Sequence, residues 1–139
     1  MNREKTKRNN NWIDKLSIRK GYSTYLVNVP IGFYEWISPI LPTGNRLQLG
    51  YPQHPSLAVI FLWPENLETI SEALSWISSN IIKNSIIWLM AEVKKSEMGN
   101  IGSIDFKAIE EMIKNTPLKL TRKTLQLDKD YGIQLIMTR

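Results

Sequence analysis

The chain has no cysteine and a single histidine. The first absence excludes disulfides, a thiol nucleophile and any cysteine metal site. The second excludes a two-histidine zinc site, so any imidazole chemistry must run through His54 alone. Long apolar runs are missing as well. The longest, at 57–63 and 86–91, fall far short of a membrane span. No apolar stretch follows the basic N-terminus before Gly21, so a secretory signal is not expected and the expected location is the cytoplasm, with no membrane partner. No internal repeat is visible. What remains is 139 residues, 42% of them hydrophobic, a length that suits one domain able to bury roughly two-thirds of its unfolded surface.

Charge is unevenly placed. Lys and Arg exceed Asp and Glu by 18 − 13 = +5. Residues 1–20 hold Arg3, Lys5, Lys7, Arg8, Lys15, Arg19 and Lys20 against Glu4 and Asp14, which is 7 − 2 = +5, and the remainder sums to zero. A basic footprint over the whole surface is therefore excluded, whereas a short basic arm is present. Residues 1–11 are polar, with nothing apolar to bury, and are expected to form a disordered basic arm ahead of a single domain at 12–139. The seven cations of 1–20 are candidate nucleic-acid contacts, since phosphate binding needs little beyond Lys or Arg and flexibility.

Local patterns predict the elements. Trp12 and Leu16 suit a short amphipathic turn. Residues 22–29, aromatic and β-branched and stopped by Pro30, predict a strand. Phe33, Trp36, Ile37 and Ile40 recur at helical spacing until Pro39 and Pro42 intervene. Residues 45–50 make a weak strand. The runs 57–63 and 85–93 predict strands buried on both faces. Between them Leu67, Ile70, Ala73, Leu74, Ile77 and Ile81 mark a helix, with Pro64 suited to open it and Lys83 and Asn84 to close it. Trp76 falls off that stripe and is expected to be half exposed. Residues 94–102 read as a loop, and Ser103 can cap a helix running through Asn115. Leu118 and Leu120 alternate, then Leu125 and Leu127 shift phase, which predicts a bulge. A tight turn is expected at 128–132, with Gly132 at positive φ, before a final strand at 133–138.

Helices alternating with apolar strands predict an α/β fold: a three-layer, Rossmann-like sandwich, mostly parallel, closed by a C-terminal antiparallel hairpin. The segment Lys15-Leu-Ser-Ile-Arg-Lys-Gly21, the strand ending Asn28-Val29-Pro30, and Gly32-Phe33 resemble the opening of a family of small uncharacterised microbial proteins. That family is a domain of unknown function with a shortened, degenerate methyltransferase-like Rossmann fold. Its middle is similar to Ser85-Ile-Ile-Trp88 followed by Lys94, and its end to Asp128 through Gly132 with a terminal Arg139. The resemblance implies that the last strand runs antiparallel and inserts between two others; Ile133, Leu135, Ile136 and Met137, apolar on both faces, agree. It carries no established activity.

Against an active methyltransferase the signals are poor. The turn 28–33 after the first strand has one glycine and no G-x-G, so the backbone lacks the freedom to approach a cofactor closely. The end of the second strand, 49–54, has no Asp or Glu to hold ribose hydroxyls. Trp63-Pro64-Glu65-Asn66 echoes a methyltransferase Asn-Pro signature only loosely and in the wrong order. No cofactor, no metal and no catalytic residue is therefore assigned. Pro30, Gly32, His54, Trp63, Lys94 and Lys95 are the candidate ligand contacts, all in loops expected at the strands' carboxyl ends. The reading favoured is a non-enzymatic binding or regulatory module, with nucleic acid a partner through the arm. The alternative is a small-molecule or S-adenosylmethionine-dependent transferase using the same crevice. A third is an interaction protein forming a homodimer through an edge strand or Trp76.

Overall fold

The computed structural model describes residues 12–92 and 106–139. The strands β1 (Ser23–Val27), β2 (Leu47–Leu49), β3 (Ala58–Leu62), β4 (Ile86–Glu92), β5 (Leu118–Leu127) and β6 (Asp130–Met137) form one sheet in the order β2-β1-β3-β4-β6-β5. The first four strands are mutually parallel, and β6 is antiparallel to both its neighbours. The C-terminal strand thus inserts between β4 and β5, as expected. Strand β3 is buried at every position, which accounts for its unbroken apolar sequence.

Two cores flank the sheet. On one face α2 (Leu67–Ser78) and α3 (Phe106–Ile113) pack Ile70, Leu74, Ile77, Ile109 and Ile113 on Ile60, Leu62, Ile87 and Leu89. On the other, α1 (Phe33–Ile37), which runs into the 3-10 turn Ser38–Ile40, and the segment 12–18 cover Val59, Phe61 and Trp88. Trp88 is fully buried, and its Nε1 donates to the Leu16 carbonyl at 2.8 Å, which ties the N-terminal segment to the sheet. Trp12 packs edge-on to Trp36 at 5.0 Å, so this indole belongs to the second core.

Several boundaries differ from the sequence reading. Helix α2 is opened by Asn66, whose side chain accepts from the Thr69 amide at 3.0 Å, and Pro64 lies ahead of that cap. The helix stops at Ser78 rather than near Lys83 because Ile81 becomes extended to bridge Ser56. The hairpin turn is shorter than predicted. Leu127 pairs with Asp130, so Asp128 and Lys129 alone make the turn, and Asp128 takes the positive φ, 53°. Gly132 is a correction. It lies inside β6 without positive φ, and a Cβ there would run into Met90 Sδ, so close packing and not turn geometry requires glycine. The expected bulge is present: pairing resumes from Leu120 to Thr124 after a register shift. Among the described residues no helix is long and apolar enough to cross a membrane.

Candidate functional site

In an open parallel sheet, a crevice forms beyond the strands' carboxyl ends where successive crossovers leave in opposite directions. Here β1 has β2 on one side and β3 on the other, so the switch point lies between β1 and β3. A cleft of about 700 Å³ occupies that position. Its floor is made by Val27 and Leu62, and one rim by Asn28, Gly50 and Tyr51, which follow β1 and β2. The facing wall belongs to Trp63, Pro64 and Glu65 after β3 and to one flank of α2.

That flank has a periodic origin. Thr69, Glu72, Ala73 and Trp76 line the cleft at i, i+3, i+4 and i+7, one helical stripe rotated from the buried Ile70–Leu74–Ile77 stripe. Trp76 is 59% exposed and Tyr51 37% exposed, large rings turned partly to solvent beside a cavity. Glu65 and Glu72 are the charged residues among the described lining.

The floor is held rigidly. The Trp63 amide donates to Val27 at 3.0 Å and the Gly50 amide to Leu26 at 2.8 Å, so both ladders continue past the strand ends. Asn28 is left-handed, φ 56°, and its Nδ2 donates to the Trp63 carbonyl at 2.8 Å. Asparagine tolerates that conformation better than most residues, and here it couples the loops after β1 and β3. The Trp63 ring packs on Phe33 at 4.9 Å, and its buried Nε1 has no hydrogen-bond partner among the described residues.

Of the residues singled out from the sequence, Trp63 lines the cleft. Pro30 and Gly32 lie on the turn after β1, exposed and outside the lining, where Gly32 (φ 93°) precedes α1. His54 is exposed next to Gln53, and its carbonyl accepts from Ser56 Oγ at 3.1 Å; Gln53, not His54, reaches the cleft. Lys94 and Lys95, and Arg3, Lys5, Lys7 and Arg8 of the arm, lie outside the described residues. Lys15, Arg19 and Lys20 are exposed away from the cleft, and Lys15 sits over the Trp12 ring at 5.0 Å. Tyr51, Gln53, Pro64 and Glu65 come from the loops 51–54 and 63–66 expected to form the crevice, whereas Asn28, Glu72 and Trp76 were not expected there; the i, i+3, i+4, i+7 spacing of 69, 72, 73 and 76 was the available signal.

Solved structures share this architecture. A SAM-dependent methyltransferase from Aquifex aeolicus superposes with a TM-score of 0.62 at 9% identity, over 94% of this chain and 89% of that one. Magnesium protoporphyrin IX methyltransferase from Synechocystis PCC 6803, with bound SAM, gives 0.57 at 8% identity over 95% and 79%. OxaC in complex with SAH and oxaline gives 0.59 at 14% identity over 91% of this chain, which spans only 46% of that protein. The chain has a methyltransferase-like Rossmann fold. No protein-family model matches it, and neither does any curated protein.

The residues present do not suit S-adenosylmethionine. No carboxylate ends β2, where Leu49 is followed by Gly50 and Tyr51, and the turn after β1 is committed by Asn28 to the Trp63 carbonyl instead of being a glycine cradle.

Proposed function

We propose that the protein is a non-enzymatic binding module, a degenerate offshoot of the methyltransferase-like fold, which takes a small, flat, uncharged or cationic molecule in the switch-point cleft. The same reading joins it to the family of small uncharacterised microbial proteins that its opening and closing motifs resemble. The observation that carries it is the composition of the cleft. Two carboxylates, Glu65 and Glu72, stand with the rings of Tyr51 and Trp76, and no Lys or Arg is among the described lining. Carboxylates repel phosphate, whereas exposed indole and phenol faces attract rings and cations. The cleft volume of about 700 Å³ is ample for a small-molecule ligand, since such pockets run from about 300 to 1,000 Å³.

A thermal-shift screen of the full chain tests this with adenine, cationic quinolines and neutral heteroaromatics, set against nucleoside monophosphates. A ligand that binds only the native state raises Tm, by about 2.7 kcal/mol of stability at a hundred times Kd. At least one neutral or cationic ring is expected to raise it, and Trp76→Ala is expected to abolish that rise while leaving the unliganded Tm nearly unchanged, since the ring is mostly exposed. Shifts by phosphate-bearing ligands alone, or shifts indifferent to Trp76→Ala, overturn the reading.

A further inference from the structure

The sheet ends in a basic edge that the cleft does not involve. In β5, pairing jumps from Leu120 opposite Leu135 to Thr124 opposite Ile133, so Thr121, Arg122 and Lys123 all face Gln134. Arg122 adopts φ 71° to accommodate the extra residues. The bulge is fastened from inside. Gln134 is 2% exposed; its Oε1 accepts from Thr121 Oγ1 at 2.8 Å and its Nε2 donates to Ser17 Oγ at 2.9 Å. Lys123 Nζ donates to the same Ser17 hydroxyl at 3.5 Å. A buried amide therefore locks the edge bulge to the segment that carries Lys15, Arg19 and Lys20.

Two grooves open on either side of this edge. One, about 620 Å³, runs between the end of α3 and β5 and is lined by Lys114, Lys119, Arg122 and Lys123 against the single carboxylate of Glu110. The other, about 430 Å³, lies between β5 and the N-terminal segment, with Arg19 and Lys123 and no carboxylate. Lys123 and Gln134 line both, so the bulge is the ridge between them.

We propose that this bulged edge binds the phosphodiester backbone of a nucleic acid, which crosses the Arg122–Lys123 ridge and continues toward Arg19 and Lys20. Charge complementarity names the occupant: four cations to one acid line a groove, beside β5, the edge strand of the sheet among the described residues. An anionic lipid surface suits the site less well, because none of the large exposed apolar side chains (Ile31, Tyr34, Leu49, Tyr51, Trp76 and Ile82) lines either groove. Positively charged residues also protect edge strands from pairing. That role needs scattered charge and no internal lock, whereas Gln134 fixes the geometry of this bulge from the core. The inference is independent of the cleft.

Fluorescence anisotropy of a labelled 20-nucleotide oligothymidylate with the full chain is the test, with phosphatidylserine vesicles as a second probe. Binding is expected at low salt and should weaken log-linearly as salt rises. Arg122→Gln is expected to weaken it and to lower the salt slope by about one, the signature of a lost phosphate contact. Arg46→Gln removes the same charge beside β2, at the opposite edge of the sheet, and is expected to leave both values unchanged. Circular dichroism confirms that each variant is folded, and Trp76→Ala should leave oligonucleotide affinity intact, which separates this site from the cleft. Absence of binding at low salt, equal effects of Arg122→Gln and Arg46→Gln, or binding to vesicles alone overturns the proposal.

Discussion

Gly132 shows how one residue's identity follows from its neighbours. It is the third residue of β6, opposite Met90, which is fully buried. A methyl group at 132 would meet Met90 Sδ, and overpacking of this kind costs about 1–3 kcal/mol. Gly132→Ala is expected to lose about that much stability in urea denaturation. Met90→Ala alone removes buried volume and should cost about 2–5 kcal/mol. The double variant should be more stable than the sum of the two losses, because each change relieves the other. Strict additivity, or a Gly132→Ala chain as stable as the parent, contradicts the packing argument. Asn28 is the polar counterpart. Its left-handed backbone and its bond to the Trp63 carbonyl make the rim of the cleft a fixed feature of the fold.

Among the elements, β6 bears the most. It pairs with β4 on one side and β5 on the other, and it buries Ile133, Leu135 and Met137. Ending the chain at residue 131 would leave two rows of backbone groups without partners as well as bare apolar surface. Such a chain is expected to show no cooperative transition in calorimetry; a sharp melt near the parent's temperature would contradict the sheet order. Much of this was legible in advance. The apolar runs of β3 and β4, the stripe of α2 and the phase shift that announced the β5 bulge all reflect burial, which a sequence records directly. The end of α2 was not legible, because Ile81 leaves the helix to bridge Ser56, a contact distant in sequence. The cleft was legible only in part. Its loops could be placed at strand ends, but Tyr51, Glu72 and Trp76 meet there only because β2 and β3 flank β1, and a pattern along one chain does not record which strands become neighbours.

For the whole molecule, position and charge divide the surface. The switch-point cleft, beside β1 and β3, carries Glu65 and Glu72, whereas the bulged edge at β5 carries Arg122 and Lys123. The two proposals therefore call for ligands of opposite charge, and neither region presents the glycine turn and β2 carboxylate that a nucleoside cofactor requires of this fold. A likeness at 9% identity establishes the architecture and leaves the activity to the residues. We propose that this fold has the switch-point crevice but does not bind the methyl donor there. Calorimetric titration of S-adenosylmethionine into the full chain tests it most directly. No saturable heat is expected through the micromolar range; a micromolar dissociation constant at one site per chain would contradict the proposal.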